Sequence, residues 1–146
     1  MAENNLFSDA QFKNLSSFLE QNPHIEIAHI DLNDAEVLAG FDWQKLAKQK
    51  DGILEILRAY QRVKKIMPEL GHTTVLALLK ASLHSALQIA ALPKIKFLRE
   101  YAAVFGGDPA IIEQFYNNAL AIRTQVLLQY MEVKQANEPH LSAAKI

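Results

Sequence analysis

Few residues of this chain are of types and spacing suited to chemistry. Ser82, His84 and Ser85 stand within four positions, a hydroxyl-and-base combination of the kind that activates a nucleophile. Yet neighbours within one turn rarely point at each other, and no glycine-flanked elbow surrounds either serine. Ser85 precedes Gln88 by three residues and is read more simply as a helix cap. His24 and His29 are five apart. On a strand they face opposite sides, and on a helix they diverge by about 140°, so neither geometry makes them joint metal ligands. His72, His84 and His140 have no neighbouring histidine and are read as solvent-facing or capping residues. In "GGDP", residues 106–109, a helix N-terminus would attract an anion, but Asp108 fills that position with its own carboxylate. Cysteine is absent, which excludes disulfides, thiolate ligands and cysteine nucleophiles. No catalytic residue, metal ligand or cofactor site is therefore expected.

The other candidate is a basic surface. Residues 1–44 carry eight acids and one base, while 45–65 carry seven bases and two acids. Arg58, Arg62, Lys64 and Lys65 concentrate the positive charge on one helix. Either the acidic third lies against this helix and balances it, or the helix presents a surface to an acidic partner. Net charge over the whole chain is −1, whereas a nucleic-acid binder usually shows an overall basic excess.

These residues need elements to position them. Half of the 146 residues are apolar and 21% are charged, a globular composition of one-domain length. Ser8 and Gln11 have capping-box spacing before the apolar stripe Phe12, Leu15, Phe18 and Leu19. In "HIEIAHIDL" the alternation reverses phase between Ile27 and Ile30, and no second strand-like segment exists to pair with it. It reads as an extended strap across helices. Asn33 caps a short helix to Gly40, and Asp42 caps "WQKLAKQK". From Asp51 to Met67, Ile53, Ile56, Leu57, Tyr60, Val63 and Met67 line one face, with Glu55, Arg58, Arg62 and Lys65 on the other.

Thr73 or Thr74 opens "VLALLKA". Ser85 then caps "ALQIAAL", forming a hairpin whose turn is Ser82–Leu83–His84. A hairpin that grips nucleic acid generally uses a glycine there, so that amides can approach a phosphate. This turn has none, and Leu83 is expected to plug inward, with Leu87 and Ile89 buried behind it. Pro93 starts a helix to Phe105 that Gly106 and Gly107 end. Asp108–Pro109 begins the longest helix, with Ile112, Phe115, Tyr116, Ala119, Ile122, Val126, Tyr130 and Val133 as its apolar face. Phe97, Tyr101, Phe105, Phe115 and Tyr116 are expected in the core, while Tyr60 and Tyr130 bury their rings and keep their hydroxyls wet. This helix should end near Lys134 or Gln135, because Pro139 and the loss of periodicity oppose continuation.

The expected fold is all-α: a single compact bundle of about seven helices with an internal helical hairpin and one extended strap. Residues 1–135 form one helical domain, with N-terminal helices and strap over 1–50 and the core bundle over 51–135. Residues 136–146 form a flexible tail or linker.

Three stretches together, "ILRAYQRVKKI" at 56–66, "LLKASLHSALQIAALP" at 78–93 and "FGGDPAIIEQFYNNALAIR" at 105–123, carry a family resemblance. They resemble a helical region of the insecticidal toxin-complex A components and of related large bacterial proteins of virulence-plasmid or "neuraminidase-like" type. There a tyrosine–glutamine–arginine helix precedes such a hairpin, and a glycine break precedes a long helix. The resemblance covers roughly residues 51 to 135. It departs at Ala81–Ser82, where the family often has glycine, and those relatives are far longer. It implies a structural or shell module of a toxin-delivery assembly and supplies no catalytic residues.

The expected function is a non-enzymatic structural or protein-interaction module whose partners are another protein or neighbouring domains of a larger assembly. A nucleic-acid-binding hairpin domain using Arg58, Arg62, Lys64 and Lys65 is the alternative; the hairpin residues Leu83, Ser85, Leu87 and Ile89 are structural. "MAENNLF" has no basic region followed by an apolar stretch, and no apolar run reaches the roughly 20 residues of a membrane helix. Synthesis in the cytoplasm without a signal peptide is expected, and the resemblance allows export within a toxin-like assembly.

Overall fold

Ser8 starts the fold as the spacing predicts. In the computed structural model, which describes residues 7–136, its hydroxyl accepts from the Gln11 amide at 3.2 Å. The Gln11 side chain returns the bond to the Ser8 amide at 2.9 Å. This capping box opens α1 (Asp9–Gln21), which buries Leu15 and Phe18 completely. Gln11 also donates to the Gly52 carbonyl at 3.2 Å, fastening α1 to the first turn of the helix over Lys50–Ile66. Asn22 ends α1 and exchanges two bonds with Asp42: it accepts from the Asp42 amide at 2.8 Å and donates to the Asp42 carbonyl at 3.0 Å.

The strap between them holds a single 3₁₀ turn, Ile27–His29, and no strand occurs among the described residues. Leu32 is buried beneath it, with Ile25, Ile27 and Ile30 half-buried. The phase reversal that excluded a strand is the mark of this turn, which rotates the chain so that both sets of isoleucines reach the core side. Asp34 caps α2 (Ala35–Ala39) by accepting from Glu36 at 2.9 Å, so Asn33 is not the cap. Asp42 is no cap either: a 3₁₀ helix over Gln44–Gln49 follows Trp43, and no side chain caps it. Trp43 instead packs with Phe18 and Phe41, ring centroids 4.9 and 6.2 Å away, and donates to the Leu38 carbonyl at 2.8 Å.

α3 (Lys50–Ile66) is the central element, touching α1, the strap and three later helices. Ile53, Ile56, Leu57 and Val63 on its apolar face are fully buried. α4 (His72–Lys80) begins after Gly71, one residue before the expected threonines. α5 (Ala86–Ala91), α6 (Lys94–Glu100) and α7 (Pro109–Ala136) complete seven α-helices among the described residues. Pro93 sits one position before α6 rather than in its first turn. The expected helix to Phe105 breaks at Tyr101 and continues as a 3₁₀ turn over Ala102–Phe105. Gly106 and Gly107, at φ +72° and +78°, then turn the chain in the left-handed region that glycine enters at little cost. Phe97, Phe105, Phe115 and Tyr116 interlock at centroid distances of 5.1 to 6.3 Å, the aromatic core expected of them. α7 reaches Ala136, one or two residues past the expected end. Ala136, expected as the first residue of the 136–146 tail, is therefore helical, and residues 137–146 lie outside the described residues.

Candidate interaction groove

The hairpin turn positions the first part of the site. Leu83 is 3% exposed and plugs inward as expected. Ser85 caps α5 by accepting from the Gln88 amide at 3.2 Å, and Gln88 accepts from the His84 amide at 2.9 Å. These bonds commit the Ser85 hydroxyl and the turn backbone to structure. Ser82 adopts φ +64°, so the turn takes the left-handed conformation without the glycine that usually supplies it. Ile89 is fully buried. Leu87 is not: at 46% exposure it stands out of the core, contrary to expectation. A six-residue helix presents one narrow face, and Ala86, Ile89 and Ala90 occupy it against α7. Leu87, 100° around from Ala86, must face outward.

The same correction applies to α7. Ile112, Phe115, Tyr116 and Ala119 are buried, and Ile122 is half-buried. The stripe continues at helical spacing through Val126, Tyr130 and Val133, but these are 40%, 64% and 61% exposed. Tyr130 therefore does not bury its ring. The cause is length: 28 residues of α7 span about 42 Å, while the six of α5 span about 9 Å. The core face of α7 outruns its cover.

Leu87, Ala86, Ile122 and Val126 line an open groove of about 370 Å³ with Arg62 and Lys65 at its edge. Arg62 is held there by donating from Nε to the His84 carbonyl at 3.1 Å. Arg58, Arg62 and Lys65 lie at i, i+4 and i+7 along α3, and among the described residues none of them is engaged in a salt bridge. Arg58, Arg62 and Lys65 also border the strap at Ala28–Asn33. The acidic segment thus does approach the basic helix, but it is fastened there by Gln61, which donates to the Ile27 and Ile30 carbonyls at 2.6 Å each.

Lys64 separates from this group. It turns to the other side of α3 and donates to the Leu70 carbonyl, next to Tyr60 and His72. The Tyr60 hydroxyl, on a buried ring, lies 2.9 Å from His72 Nδ1 and donates to it when that nitrogen is unprotonated. Burial raises the Tyr60 pKa, and burial followed by the Lys64 charge lowers that of His72. His84 is likewise lowered, first by burial and then by Arg62. Its Nδ1 is buried without a hydrogen-bond partner. Neither histidine has a carboxylate beside it in a salt bridge.

His24 and His29 are exposed, and no group of three or more His, Cys, Asp or Glu is placed to hold a metal among the described residues. Asp108 occupies the start of α7, accepting from the Ala110 amide at 2.9 Å. No described helix is long and apolar enough to cross a membrane. The sequence signal for the exposed stripe was present in these lengths: a long apolar face opposite a helix of two turns cannot be covered throughout. No protein-family model, curated protein or solved structure matches the chain.

Proposed function

We propose that this chain is a non-enzymatic helical interaction module that works as part of a larger assembly. The observation that carries the reading is the uncovered core face of α7, Val126, Tyr130 and Val133, running on from the groove at Leu87. Contiguous apolar surface of this extent is normally covered in the working state of a protein. The hairpin's hydroxyl and amide groups are spent on Ser85 and Gln88 bonds, which favours a structural role for Ser85 over a nucleophilic one. The resemblance of residues 51–135 to toxin-complex A components supports an assembly of the toxin-delivery kind.

The test compares the wild-type chain with a Val126→Ser/Tyr130→Ser/Val133→Ser variant, both expressed in the native host and sized in clarified extract. The wild type should migrate in a complex larger than its own mass, and the variant should leave that complex while melting at an unchanged temperature. Wild-type migration at monomer mass would overturn the reading.

A nucleic-acid reading rests on one observation, the Arg58, Arg62 and Lys65 stripe without salt bridges among the described residues. Duplex and single-stranded DNA titrated at two salt concentrations test it. Tight binding that falls steeply with salt and is lost in Arg58→Ala/Lys65→Ala would displace the interaction-module reading.

A further inference from the structure

The uncovered face is not only apolar; its charge is one-signed. Arg123, Leu127, Tyr130 and Lys134 stand at i, i+4, i+7 and i+11 of α7 and form one stripe beside Val126 and Val133. Arg62 and Lys65 edge the groove into which this stripe leads. Glu132, the carboxylate of this half of the helix, is two residues from Tyr130 and points about 200° away from it. The apolar surface is therefore rimmed by four cations, and none of the four is engaged in a salt bridge among the described residues.

We propose that the groove and stripe dock an amphipathic helix of another protein that carries carboxylates beside its apolar anchors. The proposal rests on the interaction-module reading and names the chemistry of its partner. Three observations select this occupant.

The first is area. Leu87, Val126, Leu127, Tyr130 and Val133 are 40–64% exposed and leave roughly 500 Å² of mostly apolar surface in water. A standard interface buries about 800 Å² per partner, so this patch with its basic rim is of the size one docked helix covers.

The second is shape. The surface begins in a concavity between α3, α5 and α7, with Leu87 and Val126 as walls, which suits a ridge of side chains from an incoming helix.

The third is charge, and it argues against a second copy of this chain. In an antiparallel α7 pair the ends of the stripe meet, Arg123 opposite Lys134. In a parallel pair each cation meets itself. Both arrangements set like charges in an apolar interface, whereas glutamates or aspartates on a partner would neutralise them.

The probe is a synthetic amphipathic helix of about three heptads with leucine at the anchor positions and glutamate at the flanks. A control peptide has lysine at the flanks and the same anchors. Binding of each to the full chain is followed by fluorescence anisotropy at low and high salt. The glutamate peptide should bind at least about tenfold tighter than the lysine peptide, with the gap narrowing in salt. Lys65→Glu/Arg123→Glu leaves the Arg62 bond to the hairpin intact and should abolish or invert the preference. Leu87→Ser/Tyr130→Ser should weaken both peptides, and circular dichroism should show that each variant folds.

Binding of neither peptide, or of both equally, overturns the proposal. So does a native mass spectrum dominated by dimers that Lys65→Glu/Arg123→Glu leaves intact, since that makes a second copy the occupant. Binding to vesicles of anionic phospholipid without peptide preference assigns the face to a lipid surface and overturns it as well. If the chain still enters a large complex in extract through Val126, Tyr130 and Val133 while the peptides show no charge preference, the acidic-helix proposal falls and the interaction-module reading stands.

Discussion

α5 carries two large aliphatic residues two positions apart in opposite settings, and truncating each to alanine tests the rotation of this short helix. Ile89 is fully buried against α7. Ile89→Ala removes three carbons from the core, about 2.4 kcal/mol at roughly 0.8 kcal/mol each. A term for the cavity left behind brings the expected loss to about 3–4 kcal/mol, within the 2–5 kcal/mol of such substitutions, slightly offset because alanine is the better helix former. At about 2–4 °C per kcal/mol for a domain of this size, the melting temperature should fall by roughly 6–16 °C. Leu87 is 46% exposed, and Leu87→Ala gives up only a part-buried contact while gaining helix propensity. Its expected cost is below about 1 kcal/mol. Urea unfolding followed by circular dichroism, at two protein concentrations, measures both, with the slope against denaturant unchanged. Equal losses in the two variants would refute the rotation of α5 and, with it, the groove. A Leu87→Ala loss that grows with protein concentration would show instead that Leu87 is covered by self-association.

Gln61→Leu removes both bonds to the strap and should cost about 1–2 kcal/mol, with amide exchange accelerating at Ile27–Ile30 ahead of the α3 amides; uniform acceleration would show that the strap does not open separately. His72 and His84 have pKa values lowered from 6.5 in the fold, so the unfolded chain binds more protons just below that pH. Their contribution to stability is complete above about 6.5 and is lost as pH falls from there through the folded values, which denaturation at a series of pH values and histidine NMR titration would reveal. Stability flat between neutrality and pH 5 would contradict the lowered values. Gly106→Ala should cost about 1 kcal/mol because φ +72° strains any side chain although space is open, whereas Gly71→Ala, with open space and no positive φ, should change stability by less than about 0.5 kcal/mol in a thermal melt.

Where the reading from sequence and the fold diverge, the divergence follows the range of the interaction involved. Caps are local: Ser8 with Gln11, Ser85 with Gln88, and the Gly106–Gly107 stop are each set within a few residues, and all stand as the spacing predicts. The cap of α2 moved from Asn33 to Asp34 because both residues have the right chemistry and only the strap's path chooses between them. Asp42 has good capping chemistry too, but its backbone is engaged by Asn22, twenty residues away, and periodicity carries no trace of that exchange. Lys64 looked like its neighbours in a basic run, yet the carbonyl of Leu70 takes it to the other side of the helix.

The all-α class, the aromatic core and the inward Leu83 were determined by the sequence itself. They depend on apolar spacing and on cap and breaker residues, whose effect is the same in any helical bundle. Only the tertiary structure decided which apolar residues stay outside. Val126, Tyr130 and Val133 repeat the spacing of Phe115 and Ala119 and differ from them in nothing local; what differs is that α5 ends after two turns and leaves them uncovered. Leu87 is exposed for the complementary reason, since its short helix has one buried face and Ile89 already occupies it. Burial is a property of what lies across from a residue, and that is settled by the lengths and positions of other elements rather than by the residue's own pattern.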